Sequence, residues 1–175
     1  MESIGAEKSE SEKTKSEKNK LEKISIVSCN ICYGQMPGQT DEVEQHLLIA
    51  SDGSVSLRTL CFGAGFGRFS EGRNMNCTIT RRQAYDILQS ITLLLNTPDT
   101  EMKMDCGLWI VQVTSKTGET AEKEGPLTDV CVKGQSLTKL IGAELPFDKL
   151  WLFGEMPEEY DNKDSAVTLD DFPKG

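Results

Sequence analysis

Residues 79–96 read ITRRQAYDILQSITLLLN, and the spacing within this stretch decides the fold class. Ala84, Ile87, Leu88, Ile91, Leu94 and Leu95 recur at i, i+3, i+4 and i+7, which places them on one face of an α-helix. Thr80 stands at the N-cap position, and Gln83 completes a capping box: the Thr hydroxyl accepts from the Gln83 N–H, and the Gln side chain reaches back to the cap. A helix with one apolar face needs a second apolar surface to pack on. The flanking sequence supplies that surface as strands.

Upstream, residues 24–33 (ISIVSCNICY) are rich in β-branched and aromatic types, which suits a strand. Residues 34–41, with Pro37 and Gly38, read as a loop. The apolar runs 45–50 and 55–62 are joined by Ser51-Asp52-Gly53-Ser54, where Asp-Gly supplies the positive φ of a tight hairpin turn. A Gly-rich segment follows, and residues 75–79 form a short strand feeding the helix. Downstream, residues 108–113 (LWIVQV) are the most apolar strand candidate and belong inside the sheet. Lys116-Thr117-Gly118-Glu119 is a second turn, 120–124 a polar returning strand, and 130–132 another short one. In residues 135–145, Leu137, Leu140, Ile141 and Leu145 have helical spacing and end at Pro146. Trp109 and Trp151 read as core anchors, the latter within a final apolar segment, residues 150–153.

These elements predict an α+β domain: a mainly antiparallel sheet of about five or six strands, with one long and one shorter helix packed on it. The two halves share a strand, turn, strand, strand, helix order with little residue identity. Diverged tandem duplication and convergence on a common architecture both account for that. Residues 1–23 alternate Glu, Lys and Ser and cannot bury enough surface to order themselves, so they read as a tether, with a solvated helix over 10–21 as the alternative. Residues 24–154 form the domain, and 155–175 an acidic, Pro-punctuated tail.

The formal net charge of −9 opposes a phosphate backbone, because non-specific nucleic-acid affinity comes from Lys and Arg releasing counterions. No run of about 18 apolar residues is present to span a bilayer. The six cysteines, with no export signal ahead of them, are expected to stay reduced in a cytoplasmic protein.

The Asp-Gly turn between two strands, the Thr-x-x-Gln helix start, Asp105-Cys106-Gly107-Leu108-Trp109 and the segment 137–153 together resemble a group of small uncharacterised bacterial α+β proteins. The resemblance spans most of residues 45–153. It implies the fold and brings no catalytic residue with it.

Four features could carry chemistry. Cys29 and Cys32, in Cys29-Asn30-Ile31-Cys32-Tyr33-Gly34, have the spacing that turns two thiolates toward one zinc ion. A second such pair is missing, an extended strand would point the two cysteines to opposite faces, and a redox pair normally opens a helix. Structural, unreactive cysteines are therefore favoured over zinc, and no other cofactor is implied. Gly63-Ala64-Gly65-Phe66-Gly67-Arg68 lacks the spacing and following helix of a phosphate-binding loop. Its plainer reading is a flexible connection over residues 63–74. Its functional reading is a recognition surface in which Phe66, Arg68, Phe69 and Arg73 contact another protein, since aromatic and Arg side chains are enriched at interfaces. A small-molecule site along the same segment is a further alternative. Arg81 and Arg82 occupy the first helical turn, where the dipole disfavours cations. They either meet a neighbouring acid or mark a partner surface. His46 is the only histidine, and the sequence shows no nucleophile and orienting group around it. The leading expectation is a non-catalytic binding or regulatory protein acting through protein contacts.

Overall fold

Period-two alternation of apolar and polar residues builds a six-stranded antiparallel sheet, in the order β4-β3-β2-β1-β5-β6. In the computed structural model, which describes residues 20–30, 37–101 and 106–154, the sheet strands are β1 (Leu21–Cys29), β2 (Glu42–Ala50), β3 (Ser54–Cys61), β4 (Ser70–Thr78), β5 (Leu108–Ser115) and β6 (Thr120–Pro126). The long helix α1 (Arg81–Leu95) follows β4. A small hairpin, β7 (Cys131–Val132) with β8 (Gln135–Ser136), leads into the short helix α2 (Leu137–Glu144). Residues 1–19, 31–36, 102–105 and 155–175, and with them most of the tether, Cys32, Asp105 and the acidic tail, lie outside the described residues.

One sheet face is the core. Ile24 and Ile26 of β1, Leu47 and Ile49 of β2, Val55 and Leu57 of β3, and Trp109, Val111 and Val113 of β5 are all buried there. They pack with Ala84, Ile87, Leu88, Ile91 and Leu94 of α1 and with Leu137 and Ile141 of α2. The α1 start is the expected capping box, with Thr80 Oγ1 accepting from the Gln83 N–H at 3.2 Å and Gln83 Oε1 accepting from the Thr80 N–H at 2.9 Å. The Asp52-Gly53 turn abuts this cap: the Ile79 N–H donates to the Gly53 carbonyl at 2.9 Å. Gly53 has φ +98, and a Cβ there would lie 2.2 Å from the Ile79 carbonyl oxygen. Turn conformation and close approach both demand glycine at this position.

The chain closes over the core with residues 145–153, whose Leu145, Phe147, Trp151, Leu152 and Phe153 are buried. Phe153 meets Trp109 edge-on, ring centroids 5.3 Å apart.

Three expectations are corrected. Strand β1 starts at Leu21 rather than residue 24 and ends at Cys29. Residues 70–74 belong to β4, so the Gly-rich connection is shorter than residues 63–74. Polar, Gly-bearing edge-strand sequence has low intrinsic β propensity, and cross-strand pairing overrides it here. Gly72 is required by close approach, since a Cβ would sit 2.4 Å from Thr59 Oγ1. Finally, the strand, turn, strand, strand order shared by the two halves pairs differently in each: β4 pairs with β3 in the main sheet, whereas among the described residues β7 pairs only with β8.

Candidate functional site

The residues singled out in the sequence fall into four separate places. Arg73 sits on the core side of β4, where it clamps residues 145–153 to the sheet. Its Nε and Nη2 donate to the Glu42 carboxylate at 2.6 and 2.8 Å, and its Nη1 donates to the Asp148 carbonyl at 2.8 Å. Glu42 also accepts from Thr59 Oγ1 at 2.9 Å and Gln45 Nε2 at 3.3 Å. Gln45 in turn donates to the Lys149 carbonyl at 2.8 Å and accepts from the Trp151 N–H at 3.1 Å. Burial acts to raise the Glu42 carboxyl, but the bonds from Arg73 and Thr59, the Arg73 charge and the Gln45 bond outweigh it and hold it below its ordinary value. Arg73 is thus held in a largely buried ion pair with Glu42.

Phe66 and Arg68 occupy the tip of the β3–β4 connection, whose backbone is hydrogen-bonded to itself and to residues 39–41. Phe62 is buried, and its N–H donates to the Asp41 carbonyl at 2.9 Å. The Gly63 N–H donates to the Gln39 carbonyl at 2.9 Å, and the Arg68 N–H to the Gly65 carbonyl at 2.9 Å. Glycines 63, 65 and 67 all have positive φ, which lets the loop fold back on itself. On this base Phe66 packs edge-on against Phe62, centroids 5.3 Å apart, while 53% of its surface stays exposed. Phe69 is half-buried against Phe62 at 6.4 Å. Arg68 is exposed and makes no ion pair among the described residues.

Arg81 and Arg82 lie at the opposite end of the sheet, separated from the loop by the length of β3, roughly 23 Å at about 3.3 Å per residue. Arg82 meets the neighbouring acid foreseen for it, with Nε 3.0 Å from Asp86 Oδ2. Arg81 does not share that partner. It lines a cleft of about 420 Å³ between α1 and the turns after β2 and β5.

The second sheet face carries Cys29, Glu44 and His46. Cys29 pairs with Glu44 across β1 and β2, and His46 Nε2 contacts the Glu44 carboxylate. Sequence reasoning missed this grouping because it depends on strand register. Burial, then the Glu44 charge, push the Cys29 thiol up, which disfavours the thiolate that zinc binding or redox chemistry requires. Among the described residues, no group of three or more His, Cys, Asp or Glu is placed to hold a metal ion. Among them, too, no helix is long and apolar enough to cross a membrane.

No family model matches the chain, and no curated protein matches it.

Proposed function

We propose that the protein is a non-catalytic binding or regulatory protein that engages another protein through the β3–β4 loop, in the cytoplasm. The observation that supports this reading is Phe66, a large aromatic side chain 53% exposed on a loop held by its own backbone hydrogen bonds. Pre-organised aromatic anchors bind at low entropic cost, and adjacent Arg side chains add directional contacts. Phe66 supplies the anchor and Arg68 the charged contact, while Phe62 and Phe69 hold the loop in shape. Reduced cysteines fit a cytoplasmic setting, and Cys29, Cys61, Cys77 and Cys131 carry free thiols.

The test is affinity capture from a native lysate with the full chain and its Phe66→Ala/Arg68→Ala variant. A stoichiometric partner bound by the wild type is expected to be lost, with affinity falling about 30-fold or more. Circular dichroism is expected to show an unchanged melting temperature. Equal capture by both forms would overturn the reading.

A further inference from the structure

The cleft beside α1 brings together cations from three separate segments of a strongly acidic chain. Lys20 precedes β1, Arg81 opens α1, and Lys116 lies in the turn after β5. Backbone hydrogen bonds join two of these segments and the neighbouring turn: the Lys116 N–H donates to the Lys20 carbonyl at 3.0 Å, and the Ser51 N–H to the Glu22 carbonyl at 2.7 Å. None of the three cations makes a direct ion pair among the described residues. Like charges gathered this way repel one another, and an anion between them relieves that repulsion.

The rest of the wall is not simply basic. Tyr85 stands one turn along α1 from Arg81 and is 52% exposed, Gln89 stands one turn further, and Leu88 and Leu21 line the apolar part. Asp52 is the acidic member. Bonds from the Ser54 hydroxyl and N–H, at 2.7 and 2.8 Å, and the nearby Arg81 charge hold its carboxyl below the usual range, so Asp52 offsets part of the positive charge of the cleft.

We propose that this cleft binds a nucleoside phosphate. Lys20, Arg81 and Lys116 would take the phosphates as charge-assisted donors. The Tyr85 ring offers a face for the base and the Gln89 amide a donor and acceptor for its edge. The Asp52 carboxylate accepts from a sugar hydroxyl. A volume of about 420 Å³ falls in the range of small-ligand sites. The site is independent of the loop reading, because the two lie at opposite ends of the sheet and neither shares a residue with the other.

The experiment is calorimetric titration of the full chain with ADP, with pyrophosphate and adenosine as companion probes. ADP is expected to bind saturably at one site and adenosine at least tenfold more weakly. Arg81→Gln and Lys116→Gln should each weaken ADP about tenfold. Tyr85→Ala should weaken ADP about tenfold while leaving pyrophosphate within about twofold. Arg82→Gln, whose arginine is paired with Asp86 outside the cleft, should leave both unchanged. These positions are at the surface, and unchanged circular dichroism melts will show that each variant is folded. Absence of saturable ADP binding overturns the proposal. So does an Arg82→Gln effect as large as that of Arg81→Gln, which would reduce the binding to the general field of the surface. Indifference of ADP affinity to Tyr85→Ala also overturns it, because the cleft would then hold a bare anion.

Discussion

Replacing Arg73 with methionine isolates the ion pair that ties the closing segment to the sheet. The variant keeps the apolar stem of the side chain, removes the guanidinium, and leaves Glu42 with Thr59 and Gln45 as its side-chain donors among the described residues. Breaking a fully buried pair costs about 3–5 kcal/mol. Here the Arg73 and Glu42 side chains are 23% and 10% exposed, and solvent screening reduces the expected loss to about 2–3 kcal/mol. For a domain of this size that is a drop of about 6–10 °C in melting temperature. The pH dependence gives a sharper signature. In the wild type the Glu42 carboxyl is held below its ordinary value of 4.5, so its contribution is complete above that value and is lost as pH falls through the folded pKa. In Arg73→Met the Arg73 bonds and charge are gone while burial remains, so the folded pKa rises and the buried carboxylate becomes costly. The penalty is then present at pH 7 and fades as pH falls through the raised pKa. Urea denaturation at pH 7 and pH 4 measures both effects. The double variant Glu42→Gln/Arg73→Met, which carries no buried charge, should recover at least half of the loss at pH 7. A loss below about 0.5 kcal/mol at pH 7, or an equal loss at both pH values, would refute the reasoning.

Gly53→Ala should destabilise by about 2 kcal/mol or more, since it combines an unfavourable φ with a backbone clash. Gly118→Ala, with φ +82 but nothing within 4 Å of its Cβ, should cost only about 1 kcal/mol; equal melting temperatures for the two would contradict the packing of the turn on the helix cap. Thr80→Ala removes the α1 cap and should cost about 1 kcal/mol in denaturant titration, with Thr80→Ser close to wild type. Position-resolved carbamidomethylation at pH 7 should label Cys29 more slowly than the exposed Cys131, because burial and Glu44 raise the Cys29 thiol. Faster labelling of Cys29 would reopen the thiol reading.

The local elements were the most legible part of the sequence. The helix cap rests on Thr80 and Gln83, three residues apart, and the hairpin on two adjacent residues, Asp52 and Gly53, so neighbours in sequence carry the information. Strand β4 was legible only over its second half, because Ser70 to Asn74 are polar and owe their extended form to pairing with β3. The candidate site residues were legible as chemical types and not as places. Phe66 and Arg68 remain together on the loop, whereas Arg73 is four residues beyond Phe69 yet faces the core.

By itself, then, the sequence determined the helical face of α1, its cap, the alternating strands and the α+β class, all of which follow from periodicity and near-neighbour chemistry. Tertiary structure decided which charges are spent and which are available. Arg73 is bound to Glu42 across 31 residues and to Asp148 across 75, while Lys20, Arg81 and Lys116 converge on one cleft from three separate segments. The physical reason is that a charge is neutralised by whatever the sheet register and the closing segment bring within a few ångströms. Spacing along the chain does not encode that distance.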